Sequence, residues 1–333
     1  MKQPTAMHRL EYALFRGAAA LLRSLPERYA LGMGSVIGWK AGSLFRIRRK
    51  VVRDNLRIAF PESSEGWRRQ VARGAFRHLG REGAALFRLQ EMTPAEVLAR
   101  CTVEGIDELR RPLEEGNGVL ILSGHLGNWE LLALALSAYG LPLDAVAHTQ
   151  SNPLFDRDVA ERRGRFGMQV IPRSEGTWKV LRALQKGRAV LLFADQRVIN
   201  GEIMVEFFGI PTPTARGPAV FALRTGVPVV VATIRALPGN TARYRMSFVP
   251  LAVAKSGDPE EDVRRLTRGY LGAMEDAIRS VPEQYFWLHD RWRGCLPVTE
   301  PEASHAVSDY PAGSTDPDNA EKVSSRSTTG DPL

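Results

Sequence analysis

The sequence predicts an α/β fold: one central sheet, mixed but mostly parallel, with helices on its faces and a separate helical region at the N-terminus. Two observations carry this. Short apolar runs at 119–122, 143–147, 191–194 and 226–231 have the near-continuous hydrophobicity of strands buried on both faces. Segments that read as helices lie between them, at 129–139, 178–186 and 218–225, and strands alternating with helices form parallel βαβ units.

Composition sets the bounds. The chain has 333 residues, 44% of them hydrophobic, enough for one large domain with additions. The expected division is a helical membrane-associating region at 1–60, a main domain at 61–297 and a disordered acidic tail at 298–333, rich in Ser, Thr, Pro, Asp and Gly. Net charge is +8, but the tail holds seven acids and two bases, which leaves the first 297 residues near +13. A basic body suits an anionic membrane surface, a phosphorylated lipid or an acidic carrier protein. Nucleic acid is disfavoured, because no recognisable module is present and the arginines are interleaved with apolar runs. Cys101 and Cys295 are far apart and lack histidines at ligand spacing, which suggests a reducing compartment and no metal site. No signal peptide is expected, and no nucleotide cofactor, since Gly32-x-Gly34-x-x-x-Gly38 has the wrong spacing and no strand before it.

Residues 8–50 alternate apolar runs with arginines. The longest apolar span, 30–45, is interrupted by Lys40 and four glycines and falls short of the roughly 20 residues that cross a bilayer. An interfacial segment with arginines at the headgroups fits it better. Asn55-Leu56-Arg57-Ile58-Ala59-Phe60-Pro61-Glu62 looks like a helix stopped before proline. Residues 65–90 form an amphipathic helix, and 106–115 another that leads into the strand at 119–122.

After that strand comes Ser123-Gly124-His125-Leu126-Gly127-Asn128-Trp129-Glu130, a small-residue turn with an asparagine suited to cap the helix that follows. His125 and Glu130 are five apart, about 500° of rotation on a continuous helix, so they meet only if His125 sits in the turn and Glu130 in the first helical turn. A carboxylate on one imidazole nitrogen leaves the other as a general base. Spacing alone decides little. The carboxyl end of a buried strand, where open α/β sheets keep their ligand sites, is the stronger signal.

Further on, 143–147 is a strand, and the loop 148–154 leads into a helix that ends around 164–167 and carries Arg162, Arg163 and Arg165. Val170-Ile171-Pro172-Arg173 is a strand ending in a cation over the same rim, and Leu191-Leu192-Phe193-Ala194-Asp195-Gln196-Arg197 a strand ending in polar residues. A strand near 243–249 and a helix at 262–280 complete the layer.

The Gly-His-x-Gly-Asn-Trp-Glu setting of His125 and Glu130, the Asn-Leu-x-x-x-Phe-Pro-Glu stretch from Asn55, and the closing Pro282-Glu283-Gln284-Tyr285-Phe286-Trp287-Leu288-His289-Asp290-Arg291-Trp292 together resemble the lysophospholipid acyltransferase superfamily. Within it they resemble the bacterial lipid A late (lauroyl/myristoyl) acyltransferases, from about residue 10 to 297. The resemblance implies a glycerolipid acyltransferase-like fold and location at the cytoplasmic face of the inner membrane. It also implies acyl transfer from an acyl thioester, on an acyl carrier protein or coenzyme A as co-substrate, to a hydroxyl of a phosphorylated glycolipid. No resident cofactor is expected. His125 is then the base and Glu130 its orienting acid, while Arg163, Arg173, Asp195 and Asn128 bind substrate. Ser174-Glu175-Gly176-Thr177 matches the third-block signature of glycerol-phosphate acyltransferases but stands too early in the chain. Position favours Asp195, which argues against a glycerol-phosphate acceptor. His289 beside packed aromatics reads as structural.

In the expected mechanism His125 deprotonates the acceptor hydroxyl, which attacks the thioester directly. No nucleophile elbow is present, so no acyl-enzyme is expected. Backbone amides at 124–128 are the expected oxyanion donors. A transferase for a glycerophospholipid or amino-acid lipid, a thioester or ester hydrolase, and a non-enzymatic membrane-binding protein are the alternatives.

Overall fold

In a computed structural model of the protein, residues 3–89, 92–147, 150–173, 176–198 and 202–295 are described; the tail at 298–333 and the Ser174-Glu175 pair lie outside them. The seven-stranded sheet runs in the order β1 (Cys101–Glu104), β9 (Tyr244–Leu251), β8 (Val229–Ala236), β2 (Val119–Ser123), β5 (Ala189–Phe193), β3 (Leu143–Ala147), β4 (Gln169–Pro172). Every neighbouring pair is parallel except β8 with β9. The sheet is therefore mixed and mostly parallel, as the near-continuous apolar runs of its central strands β2 and β5 predict.

β2 lies at the centre and is buried along its whole length. Its side chains alternate between faces, so Leu120 and Leu122 join one core and Val119 and Ile121 the other. The first core is closed by α3 (Arg49–Ala59), α9 (Gly176–Gln185), α10 (Gly217–Thr225) and α11 (Pro259–Ser280). The second is closed chiefly by α6 (Asp107–Glu114) and α7 (Trp129–Ala138). The carboxyl ends of β2, β3, β4 and β5 open together on one edge, which the parallel pairing requires.

The N-terminal helices α1 (Ala6–Ser24) and α2 (Glu27–Ser43) pack on α4 (Glu65–Leu89). The glycines that interrupt the apolar span at 30–45 have a packing role. A Cβ at Gly34 would stand 2.4 Å from the Gly80 carbonyl oxygen, and one at Gly38 would stand 2.0 Å from that of Phe76. Spaced one turn apart, they let two backbones touch. Arg88 then caps α1 by donating to the carbonyls of Leu22, Arg23 and Leu25. Among the described residues no helix is long and apolar enough to cross a membrane.

The proline-containing stretch 207–214 lies in a hairpin of β6 (Glu202–Phe207) and β7 (Ile210–Ala215). Phe208 and Gly209 both have positive φ, 52° and 73°, the signature of a tight two-residue turn. Pro211 and Pro213 hide the strand in the sequence. They are tolerated because β7 pairs on one side only.

Candidate active site

The turn between β2 and α7 is held from three sides. Gly127 has φ +61°, and a Cβ there would lie 2.1 Å from the Ile234 carbonyl oxygen, so only glycine fits. The Gly127 amide donates to the Gln284 carbonyl at 3.0 Å, and the Phe286 amide donates to the His125 carbonyl at 3.0 Å. Gln284 in turn exchanges both amide bonds with the Ala236 backbone at 2.8 and 2.9 Å. The closing signature is thus a bracket for the histidine turn. Asn55 pins that bracket by donating to the carbonyls of Trp287 and His289, so two motifs more than 200 residues apart meet in one contact.

The His125 ring faces a cleft of about 410 Å³ and is walled by Trp129, Phe193 and Phe286, with ring centroids 5.2, 5.3 and 6.2 Å away. Its Nδ1 lies 2.7 Å from Asp195 Oδ1, and its backbone amide donates to Asp195 Oδ2 at 2.8 Å. One carboxylate therefore grips both the ring and the main chain of the same residue. An ionised carboxylate only accepts, so Nδ1 carries the proton and Nε2 keeps its lone pair. Asp195 is 1% exposed and sits just beyond β5, the strand paired with β2; the Ala194 amide donates to the Ser123 carbonyl at 3.0 Å.

Glu130 does not hold the imidazole. Its carboxylate accepts from Arg163 Nη2 at 3.0 and 3.3 Å and acts on His125 only through space. The correction has a simple cause. The turn places Glu130 in the first helical turn as expected, but the strand end of β5 reaches the ring first. Asp195, expected at the substrate, is instead the acid hydrogen-bonded to the imidazole and does not line the cleft.

The pair's electrostatics follow. Burial by itself disfavours the imidazolium, yet the charge and hydrogen bond of Asp195, aided by Glu130, outweigh it and raise the His125 pKa above its ordinary value. For Asp195 burial opposes ionisation, but the His125 charge and the two hydrogen bonds hold its pKa below the usual carboxylate range.

Arg163, on α8 (Pro153–Arg165), and Arg173, at the end of β4, both line the cleft. Its apolar lining includes Ala133, Ala145, Leu192, Pro218 and Phe221. Asn128 is a correction as well. It caps α7 by accepting from the Leu131 amide at 3.1 Å, and its side-chain nitrogen points inward to Glu82 (3.0 Å) and Tyr244 (3.4 Å). It is buried, away from the cleft. The amides of His125, Leu126 and Gly127 are likewise engaged, with Asp195, Gly124 and Gln284, which removes them as oxyanion donors.

Glu82 is a residue that sequence reasoning missed. It accepts from Arg81, Tyr244 and Asn128 at 2.6, 2.7 and 3.0 Å beneath the turn. Burial first, and then Glu82, push the Tyr244 hydroxyl well above its usual pKa. The signal was present, since His78 and Glu82 continue the inward stripe of Val71 and Ala75 on α4. His289 fills a structural position: its Nε2 accepts from the Arg197 amide at 3.0 Å and steadies the loop after Asp195.

A family model described as bacterial lipid A biosynthesis acyltransferase matches residues 1–294. The chain is 25% identical over 283 residues to the lipid A biosynthesis palmitoleoyltransferase of Escherichia coli (strain K12), covering 83% of this chain and 89% of that one. It is 27% identical over 277 residues to the lipid A biosynthesis lauroyltransferase of the same organism, covering 80% and 86%. It is also 27% identical over 279 residues to the phosphatidylinositol mannoside acyltransferase of Mycolicibacterium smegmatis, covering 82% and 88%.

Proposed function

The chain belongs to the bacterial lipid A biosynthesis acyltransferase family and is an acyltransferase, and we propose that it moves a fatty acyl chain from an acyl thioester to a hydroxyl of a phosphate-bearing glycolipid at a membrane surface. The observation that carries the reading is the Asp195–His125 pair, with a free Nε2 over a cleft that has apolar walls and two arginines.

In this mechanism Nε2 of His125 takes the acceptor's hydroxyl proton as the oxygen attacks the thioester carbonyl carbon. The tetrahedral intermediate collapses with cleavage of the carbon–sulfur bond, and the imidazolium returns the proton to the leaving thiolate. Asp195 supports the imidazolium and fixes the ring tautomer. The amides of Trp129 and Glu130, in the first turn of α7 and so without intrahelical partners, are the proposed oxyanion donors. Arg163 and Arg173 meet acceptor phosphate, and Glu130 orients Arg163 as well as adding negative potential at His125. The apolar walls take the acyl chain. An acyl carrier protein is the expected donor, drawn by the basic surface.

Membrane association is part of the proposal. Among the described residues, eleven of the fifteen exposed large apolar side chains lie between Met7 and Ile47, and Met7, Leu10, Leu14 and Leu21 form one stripe along α1. A stripe of this kind lies in the interface rather than across it. The inner membrane's cytoplasmic face is the surface meant.

The test is incubation with labelled acyl-carrier and acyl-coenzyme A thioesters and a panel of acceptors, read by mass spectrometry. The panel includes a phosphorylated glucosamine disaccharide lipid, a phosphatidylinositol mannoside, a glycerophospholipid and an amino-acid lipid. Acylation of a phosphorylated glycolipid is expected; release of free fatty acid without acceptor would identify a hydrolase instead. A phosphatidylinositol mannoside is the second acceptor to weigh, because that relative is as similar as the lauroyltransferase.

A further inference from the structure

Away from the cleft, α2, α3 and α4 enclose a second and larger groove of about 1580 Å³, which shares no residue with the one at His125. Six arginines line it, against two glutamates. One of those acids, Glu65, is already held by Arg57 and Arg68. Arg69, Arg73 and Arg77 stand one turn apart on α4, facing Arg49 and Arg53, which stand one turn apart on α3. All five are exposed, and among the described residues none is in an ion pair. Like charges at this helical spacing disfavour the helix that carries them. A ladder left unneutralised by the fold is matched to an anion from outside the chain.

The segment beside the groove identifies the source of that anion. Trp39, Gly42 and Ser43 form one wall, and the chain then runs into Leu44, Phe45 and Ile47, all more than half exposed. Arg46 and Arg48 alternate with them, both in the left-handed region with φ 53° and 52°, which non-glycine residues seldom adopt. An exposed aromatic and two exposed aliphatics alternating with arginines fit a bilayer's headgroup boundary, where the apolar groups enter the acyl region and the guanidiniums stay at the phosphates. Guanidinium groups also grip phosphate by two parallel hydrogen bonds.

We propose that the α3–α4 arginine groove is a second lipid-binding site, which takes the phosphate headgroups of anionic bilayer lipids while the 44–47 loop inserts beside it. The site is separate from the one that holds the acceptor. It rests on the interfacial reading of the N-terminal helices and is independent of the chemistry at His125.

Three variants of the full chain test it by co-sedimentation with phosphatidylcholine vesicles, alone or with about one-third phosphatidylglycerol. The first is Arg69→Gln/Arg73→Gln/Arg77→Gln. The second removes the same charge elsewhere, at Arg110, Arg111 and Arg224. The third is Leu44→Ser/Phe45→Ser. A surface arginine contributes about fivefold to partitioning onto an anionic leaflet, so the groove variant is expected to lose on the order of 100-fold on anionic vesicles and nothing on neutral ones. The control triple loses less than tenfold, and the loop variant loses binding to both vesicle types. Because all the changed groups except Leu44 and Phe45 are exposed cations, folding is checked by an unchanged circular dichroism melt. Equal losses for groove and control triples would reduce the effect to net charge and overturn the site. So would unchanged vesicle binding with slower turnover of a carrier-borne donor alone, which would assign the groove to an acidic protein. If the loop variant kept full binding to both vesicle types, the loop would not insert, and the interfacial reading and the site that rests on it would both be overturned.

Discussion

Replacing Asp195 with asparagine is the sharpest perturbation of the proposed chemistry. The carboxylate accepts two hydrogen bonds from His125, 2.7 Å from the ring and 2.8 Å from the backbone amide. Asparagine has the same shape but a single acceptor oxygen. If that oxygen serves the backbone, the amide nitrogen faces Nδ1 and drives the ring to the tautomer with its proton on Nε2, where the base is needed. If it serves the ring, a buried N–H is left facing another N–H, at a cost of about 1–3 kcal/mol. Either way the charge that stabilises the imidazolium is gone. A tautomer and charge loss of this kind lowers turnover by about 10³–10⁴-fold, or about 4–5.5 kcal/mol of transition-state stabilisation.

The pH dependence gives a second readout. His125 must be neutral to act, and its pKa is raised, so kcat/KM rises with pH through a value above the ordinary 6.5 of histidine. In Asp195→Asn burial is no longer opposed by that charge, so the limb moves to lower pH while the plateau falls. Acyl transfer would be measured from pH 5 to 9, alongside Glu130→Gln, for which a loss of about tenfold and a smaller shift are expected from its through-space effect. The reasoning is refuted if Glu130→Gln loses the thousandfold and Asp195→Asn stays within a few-fold of wild type, because the orienting acid would then be the local one.

Further predictions concern the cleft and its support. Arg163→Ala should raise KM for a phosphorylated acceptor by about 10–100-fold with little change in kcat, and should leave an acceptor lacking the phosphate unaffected; steady-state kinetics on the matched pair checks this. Asn128→Ala removes a helix cap and one of the three donors to the buried Glu82, so unfolding stability should fall by about 2–4 kcal/mol, read as a lower urea midpoint at unchanged slope. Its KM for the acceptor should stay as it is, whereas a substrate-binding asparagine would change it. Gly127→Ala drives a methyl into the Ile234 carbonyl at a positive φ, and loss of soluble folded protein or of all activity is expected by melt and assay.

Much of this site was legible before any coordinates. The buried run at 119–122, the small-residue turn and the cap at Asn128 are local features, and local rules place His125 at a strand's carboxyl edge and Arg173 at the end of another strand, whereas the choice of Arg163 among three neighbouring arginines came from the family resemblance. The closing signature was visible as a motif but not as a bracket, because its contacts with Asn55 and Gly127 cross more than 150 residues. The β6–β7 hairpin was hidden by prolines that only an unpaired edge permits.

The identity of the acid on the imidazole belonged to the tertiary structure alone. Five-residue spacing nominates Glu130, and nothing within a segment tells against it. The sheet order puts β5 against β2, in a register that sets Phe193 beside Ser123, so Asp195 arrives from 70 residues away at hydrogen-bonding distance. Sequence patterns record what each segment prefers for itself. Which segments become neighbours is decided by the packing that buries them together, and here that packing sets a carboxylate on Nδ1 of His125 and so fixes the tautomer that the proposed base requires.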